Sequence, residues 1–350
     1  MTPRPIRRGP ARWRERLRET WRGTWHEAWH AHADRLLLVG AALALAATFL
    51  RPGAMLDLER FEHVVVLDIT QSMNVQDETV GGRPASRLAF ARQALRDALL
   101  RLPCGSKLGW GVFTEHRSYL LLAPIEVCAN LAELRETLAA IDAPMAWAGN
   151  SEIAKGLHSG VVVARALPGT PSLVFVTDGH ESPPLNPRHR PAFDDAPGQT
   201  RGVIVGVGGI TPSPIPKADP QGRPLGFWRA DEVMQTDPYS RGRAGSVAGE
   251  ALVEEPGGPA APAAIGATPG AEHLSALHEP YLRLLAGEQG LVFHRLVSAQ
   301  ALAAAMTAPV FARPVAVRAD LRIALAALAL GLLLARHARG FAARARRYWP

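Results

Sequence analysis

Short apolar runs and amphipathic stretches alternate between residues 61 and 311. Residues 61–69, FEHVVVLDI, form a continuous β-branched run that includes Asp68, which is how a strand covered on both faces of a parallel sheet reads. A polar, glycine-containing stretch follows. Residues 86–101 then repeat apolar positions at helical spacing behind Ser86, a good N-cap, and Pro103 and Gly105 stop the pattern. Residues 107–113 and 118–123 read as strands, and the short separation between them predicts an antiparallel hairpin. Helices are predicted over 130–141, 151–166, 275–289 and 298–311, and strands over 172–177, 202–207 and 291–296. Residues 208–228 read as a loop or irregular hairpin, and 237–272, rich in Pro, Gly and Ala without periodicity, as a mobile loop. The alternation predicts an α/β fold, an open and mostly parallel sheet with helices on both faces.

Two uncharged runs flank this stretch, 36–50 (LLLVGAALALAATFL) and 323–335 (IALAALALGLLLA), closed by Arg51 and Arg336. Each is short against the roughly 20 residues of a bilayer span, but flanking Ala31, Ala33 and Leu321 and snorkelling arginines extend it. They predict transmembrane helices over 36–50 and 321–335; buried core helices are the alternative. A cleaved signal peptide is the rival for the first run, but that leader would far exceed the usual length of about 15–30 residues.

Charge refines this layout. The net charge of +7 resides in the tails: 1–35 carries nine Arg against four acids and 336–350 five Arg and no acid, whereas 51–320 carries 24 Lys and Arg against 28 acids. The folded part is therefore not basic, and no nucleic-acid partner is expected. The basic flank of each run faces its own terminus, so the positive-inside rule puts both termini in the cytoplasm. The expected organisation is a basic Trp-rich cytoplasmic segment (1–35), a span, a domain over 61–312 in the periplasm of a Gram-negative cell, a second span and a basic cytoplasmic tail (336–350). Trp13, Leu17, Trp21, Trp25 and Trp29 recur every four residues, an aromatic stripe suited to a helix in the headgroup region; a disordered basic tail is the alternative. The two cysteines, Cys104 and Cys128, fall on the outer side, where disulfides persist. A Cys104–Cys128 disulfide is expected, with two buried thiols as the alternative.

In an open α/β sheet, ligands bind at the carboxyl ends of the strands. Three polar clusters fall at such ends or at helix starts: Asp68-Ile69-Thr70-Gln71-Ser72, Gly149-Asn150-Ser151-Glu152-Ile153 and Thr177-Asp178-Gly179. The side chains of Asp68, Thr70, Ser72, Ser151 and Asp178 offer two carboxylates and three hydroxyls. That hard, all-oxygen set suits Mg²⁺ first, then Mn²⁺ or Ca²⁺, and not zinc or copper. An ion held by so few charges keeps a position open for an acidic group of a partner.

These three clusters, D-x-T-x-S after a buried strand, N-S-x-I-x-x-G-L opening a helix and V-T-D-G ending a later strand, resemble the metal-ion-dependent adhesion site of von Willebrand factor A (VWA) domains. The family's D-x-S-x-S is matched by Asp68, Thr70 and Ser72, its separate Thr by Ser151 and its second Asp by Asp178. Thr70 and Ser151 depart from the commonest pattern but keep the hydroxyl. The resemblance covers about 61–312 and implies a Rossmann-like VWA fold. A VWA domain between two spans is similar to bacterial Bat-type membrane proteins associated with MoxR ATPases. D-I-T-Q-S-M-N-V-Q-D and the paired cysteines look most like members encoded with methanol dehydrogenase maturation genes. The resemblance implies a protein-binding module, not an enzyme. Its partners would be a protein supplying an acidic metal ligand, a MoxR-type ATPase and other membrane VWA proteins, and its role the assembly or maturation of a periplasmic complex in the inner membrane. The alternatives are a metal-assisted hydrolase and a membrane scaffold with a vestigial site.

Other residues are read as ordinary. His180 and Glu181 are expected in a solvated loop. Ser72 lies in no G-x-S-x-G elbow. Gly206, Gly208 and Gly209 lack dinucleotide spacing, and Pro212 would break the helix that motif requires. His273, His278 and His294 are expected as surface or core residues, not ligands.

Overall fold

The computed structural model describes residues 32–348 apart from 51, 186–188, 195, 220, 236–246, 249 and 255–269. It divides into a unit spanning Glu59–Pro314 and a second unit formed by the chain ends, Met1–Leu58 with Val315–Pro350.

The first unit is built round a six-stranded sheet. Its strands, in chain order, are β1 (Glu62–Asp68), β2 (Lys107–Thr114), β3 (Arg117–Glu126), β4 (Ser172–Thr177), β5 (Gly202–Gly206) and β6 (Val292–Arg295). Their spatial order is β6-β5-β4-β1-β2-β3. All neighbours are parallel except β2 and β3, which form the expected antiparallel hairpin at one edge. Five helices cover the sheet: α1 (Arg87–Leu99), α2 (Leu131–Ala140), α3 (Ile153–Ala166), α4 (Glu279–Gln289) and α5 (Ala299–Met306). The alternation of side chains along β1 explains why both faces are covered. Val65 and Leu67 pack with residues of α1, α2 and α5, and Val64 and Val66 with residues of α3 and α4. Ser86 caps α1 by accepting from the Ala89 amide at 3.1 Å, and Ser298 caps α5 likewise from Ala301. The fold is thus the open, mostly parallel α/β sheet with helices on both faces that the resemblance to VWA domains implies.

The elements depart from expectation in three places. The predicted helix over 275–289 begins at Glu279, with Pro280 in its first turn, and Ser275 instead sits in a short strand, Leu274–Ser275, paired with Ser213–Pro214. The helix predicted to reach 311 ends at Met306, and a 3₁₀ turn, Pro309–Phe311, follows, because proline cannot donate to the preceding turn. The predicted loop over 237–272 lies largely outside the described residues, but Glu250–Glu254 is a strand, antiparallel to His189–Phe193. That pairing joins segments about 60 residues apart, which local patterning does not register. The stretch 208–228 contains the irregular hairpin, Pro216–Ala218 with Pro224–Phe227. Cys104 and Cys128 form a disulfide, with Cα atoms 5.2 Å apart, joining the turn before β2 to the turn after β3.

In the second unit, the helix His32–Phe49 is followed by the strand Gly53–Arg60, which pairs with Arg313–Asp320 and so leads into the helix Arg322–Tyr348. The two helices meet through small residues. Ala41, Ala44 and Ala329 are buried together with Leu332 beside them, and a Cβ on Gly40 would stand 3.4 Å from Leu332. Asp34 and Arg339 approach at 3.8 Å. Residue numbers rise along one helix as they fall along the other, so the pair is antiparallel and packs closely, as small-residue interfaces do. Leu36, Leu43, Phe49, Leu50 and Ile323 point outward, 65–88% exposed, so the apolar surface is on the outside of this pair. Among the described residues one helix, His32–Phe49, is long and apolar enough by length and composition to cross a membrane. The second apolar run lies within Arg322–Tyr348, and that helix continues through the basic tail without a break at Arg336. The Trp stripe before residue 32 lies outside the described residues.

Candidate metal centre

The chain passes from β1 to β2 on one side, and β4 later pairs on the other side of β1. The carboxyl ends of β1 and β4 therefore flank a switch in strand order, where open sheets form their crevice. Asp68 ends β1. Thr70 precedes a 3₁₀ turn, Gln71–Asn74, that carries Ser72. Asp178 follows β4. Ser151 precedes α3 and is fixed by reciprocal backbone bonds with Ser182, 2.7 and 2.8 Å long. The start of α3 sits close to the sheet because Gly156 faces the Phe113 ring, where a Cβ would come within 2.0 Å.

All five expected residues are buried. The Thr70 hydroxyl donates to Asp68 Oδ1 at 2.7 Å and lies 3.5 Å from Ser72 Oγ, which donates to Asp178 Oδ1 at 3.1 Å. Thr177 donates to the other Asp68 oxygen at 2.6 Å. Thr70, Ser72 and Ser151 line one cavity of about 490 Å³, walled on its outer side by Ile215, Trp228, Glu232 and Met234. The Trp228 indole donates to the Gln71 side chain and so ties that wall to the Ser72 turn.

Arg87 is the main residue that the sequence reading missed. Its side chain is fully buried. Nη1 donates to Asp178 Oδ2 at 2.5 Å and to Ser275 Oγ at 2.7 Å, Nη2 to the Ser275 carbonyl at 3.0 Å, and Nε and Nη2 to Asp77 at 3.0 and 2.6 Å. The signal was its phase: Arg87 falls in the same stripe of α1 as the buried Ala91, Ala94 and Ala98, where a charge needs a partner.

The two carboxylates therefore differ. Burial pushes Asp178 up, but the Arg87 guanidinium, together with the His180 and His278 rings and the His180 amide bond, holds the group below its ordinary value. Among the described residues no cation pairs with Asp68; burial first, and then the charge of Asp178, push it up to about 7 against the pull of its Thr177 and Thr70 bonds.

His180 and Glu181 are not in a solvated loop. Both are buried, because the segment after Asp178 folds beneath α4. Gly179, at φ 80°, makes that turn, and the Tyr281 hydroxyl and the Ala154 amide donate to Glu181. Burial raises Glu181 to about 7 and lowers His180 to about 4. His180 lines the same cavity as Thr70, Ser72 and Ser151, and its ring centroid lies 5.9 Å from that of His278.

Among the described residues, no group of three His, Cys, Asp or Glu side chains is placed to hold a metal. The set here has a different composition, two carboxylates and three hydroxyls. One observation tests its fit directly: Ser151 Oγ is buried without a hydrogen-bond partner, at a cost of about 1–3 kcal/mol for such a group. An oxygen donor left open in one cavity with two hydroxyls that themselves bond Asp68 and Asp178 fits a hard divalent cation.

No family model matches the chain, and no curated protein matches it. Among solved structures, an aerotolerance-related membrane protein from Bacteroides fragilis is 17% identical, over 70% of this chain and 96% of that one, with a TM-score of 0.43. An uncharacterized membrane-spanning protein from Vibrio fischeri is 16% identical over 69% and 94%, with a TM-score of 0.26. A von Willebrand factor type A protein from Catenulispora acidiphila is 11% identical over 77% and 43%, with a TM-score of 0.35. At these values the likenesses add nothing to the fold and site already described.

Proposed function

We propose that this chain is a membrane-anchored VWA-type binding module of the Bat kind, whose centre of Asp68, Thr70, Ser72, Ser151 and Asp178 holds Mg²⁺ and captures an acidic side chain of a partner protein. The observation that carries this reading is the buried, unpaired Ser151 hydroxyl, lining one cavity with Thr70 and Ser72, whose hydroxyls bond Asp68 and Asp178. The cavity is a recess, so the partner group reaches it on a protruding loop or tail. The apolar exterior of the helix pair supports anchoring in a membrane, and the antiparallel course of the two helices supports both termini on one side. The Cys104–Cys128 bridge supports an oxidising compartment for the domain, the periplasm. The resemblance adds a role in assembling or maturing a periplasmic complex with a MoxR-type ATPase, methanol dehydrogenase being one such client.

The test uses the full chain in detergent, titrated with Mn²⁺ by electron paramagnetic resonance, together with Ser151→Ala and Asp68→Asn. One bound ion in the wild type, weakened at least tenfold in both variants, is expected. Equal binding in all three proteins would overturn the reading.

A metal-assisted hydrolase is the second reading, favoured by one observation. His180 lines the cavity, is held neutral by burial, and its Nδ1 is unpartnered. Turnover lost in His180→Gln with Mn²⁺ binding intact would select it over pure binding.

A further inference from the structure

The cavity shared by Thr70, Ser72 and Ser151 is larger than a metal centre needs. Its volume is about 490 Å³. A water molecule takes about 30 Å³ in the liquid, so an ion and the three heavy atoms of one carboxylate fill roughly a quarter of it. The outer wall decides what fits the rest. Ile215, Trp228, Val233 and Met234 line it, and Pro183 is a further apolar group of the lining. Ile215 is buried, Trp228 and Val233 are half-buried, and Met234 is 51% exposed. The lining also holds the acids Glu232 and Glu272. Glu232 accepts from Lys217 at 2.7 Å and from the Arg229 amide at 3.1 Å, and Glu272 is likewise engaged within the protein.

Trp228 is fixed in place. Its backbone amide donates to the Ile215 carbonyl at 3.0 Å, its indole donates to the Gln71 side chain, and the Lys217 ammonium stands 4.4 Å from its ring centroid. Gln71 lies between Thr70 and Ser72, so the aromatic wall is tied to the turn that presents two of the hydroxyls. The same stretch of chain is rooted on the other side of the centre. Ser213–Pro214 pairs with Leu274–Ser275, and the Ser275 hydroxyl donates to Asp178 at 3.0 Å. The wall is therefore positioned before any partner arrives, and a preset aromatic group in a recess is the usual anchor of an interface.

Apolar surface also continues along the chain from this wall. Leu225 and Phe227, in the hairpin strand that leads directly into Trp228, are each 59% exposed. Clustered apolar side chains rimmed by polar residues mark interaction sites. A small molecule confined to the recess does not reach that strand, whereas a peptide segment entering the recess can.

We propose that the recess takes two groups from one segment of a partner protein: an acidic side chain on the ion, and an apolar side chain adjacent to it in sequence on the wall of Ile215, Trp228, Val233 and Met234. This rests on the metal reading above and goes beyond it by naming the neighbour of the acidic residue. Charge sets the first group, since an ion with few charged ligands keeps positive charge for a carboxylate. Water sets the second. Without a partner, Met234 and the accessible parts of Trp228 and Val233 are hydrated, and covering them is favourable in proportion to the apolar area removed from water. A polar residue beside the acid would leave this surface wet or be buried against it without a bond. The wall thus selects an acidic–apolar pair over an acidic residue among polar ones.

The experiment uses the full chain in a neutral detergent with Mn²⁺, the bound ion being counted by electron paramagnetic resonance. Peptide affinity is read from water-proton relaxation, as a peptide displaces water from that ion. The probes are the blocked tripeptides Leu-Glu-Leu, Ser-Glu-Ser and Leu-Gln-Leu, and hexanoate. Leu-Glu-Leu is expected to bind about tenfold more tightly than Ser-Glu-Ser. Val233→Ser/Met234→Ser should remove that preference, and Leu100→Ser/Val297→Ser, at exposed positions outside the lining, should keep it. Equal affinity of the two acidic peptides with Mn²⁺ bound overturns this proposal and leaves the metal reading standing, whereas no bound Mn²⁺ overturns both. A preference that survives in the wall variant, or is lost in the control, puts the apolar contact elsewhere and overturns it. So does Leu-Gln-Leu binding as tightly as Leu-Glu-Leu, because the acid is then not needed. Hexanoate binding as tightly as Leu-Glu-Leu assigns the recess to a small molecule and overturns it too. Trp228 is left unchanged, because its bond to Gln71 makes it part of the turn that carries Ser72.

Discussion

Replacing Arg87 by Gln removes the guanidinium that pairs with Asp178 at the candidate centre and leaves Asp178 and Asp77 without it. Asp178 is wholly buried, and Asp77 is 12% exposed at its side chain. Breaking a buried pair by removing one partner costs about 3–5 kcal/mol, because the remaining charge stays uncompensated. Water reaches Asp77 and softens its share, while Asp178 loses its ion pair and keeps only bonds from Ser72, Ser275 and the His180 amide. An unfolding free energy lower by about 3–4 kcal/mol is therefore expected in EDTA. Magnesium changes the comparison. A ligand at a hundred times its Kd stabilises the native state by about 2.7 kcal/mol. The variant centre has lost a competing positive charge, so the same magnesium concentration should stabilise Arg87→Gln more than the wild type and recover part of the loss. The assay is urea denaturation of the full chain in detergent, followed by far-ultraviolet circular dichroism, with EDTA and with magnesium. A loss under about 1 kcal/mol in EDTA would mean that Arg87 does not hold two buried carboxylates. An equal magnesium effect in both proteins would mean that its charge is not felt at the centre. Asp178→Asn is the companion variant: Arg87 keeps Asp77, so its cost should be smaller than that of Arg87→Gln.

Two further predictions concern the frame around the site. His63 is fully buried, with Nε2 2.9 Å from the Met306 carbonyl, and burial lowers it to about 4. It is neutral in the fold and takes a proton near pH 6.5 when unfolded, so its contribution is complete above pH 6.5 and is lost as pH falls towards 4, by about 3 kcal/mol at most; His63→Gln should flatten this part of the stability–pH curve, and an unchanged curve would show His63 to be accessible to protons. The Cys104–Cys128 bridge closes a loop with a sequence separation of 24, worth about 3 kcal/mol in the chain-entropy account; the double Cys→Ala variant should unfold at correspondingly lower urea, and thiols in wild-type membranes that alkylate without reductant would rule the bridge out.

The legible parts of this molecule are those set by near neighbours in the chain. The run around Val64–Leu67 declared a strand buried on both faces, and the structure covers those faces with α1, α2 and α5 on one side and α3 and α4 on the other. The places of the five candidate residues were legible because each lies at or beside the end of an element that the pattern marked. What escaped depends on distant partners. Ser275 was read as a helix start because its immediate sequence permits one; its position is fixed by Ser213 and Arg87, about 60 and 190 residues away. His180 and Glu181 are polar and are followed by Pro183 and Pro184, which locally describes a loop in water. They are buried because Tyr281, a hundred residues on, closes over them. Arg87 carried a local clue, its phase in a buried stripe, but its partners Asp77 and Asp178 lie on loops whose meeting only the sheet order determines.

On the proposed reading, the same charges restrict what the centre accepts. Arg87 neutralises Asp178 or shares itself with Asp77, so among the described residues Asp68 is the carboxylate near the hydroxyls that lacks a cation. The hydroxyls of Thr70, Ser72 and Ser151 bring oxygen atoms without charge. A divalent ion matched by one such carboxylate keeps about one unit of positive charge, which desolvation in a recess of about 490 Å³ makes more strongly felt than in water. An incoming carboxylate satisfies that charge; an amide or hydroxyl leaves it, and an ammonium adds to it. The acidic wall residue Glu232 stands at the rim of the recess but is paired with Lys217 at 2.7 Å, so it does not answer the charge unless that pair breaks. On this proposal the centre prefers an acidic partner group because its own acid content is held low, and removing Arg87 should weaken that preference even while it tightens the metal.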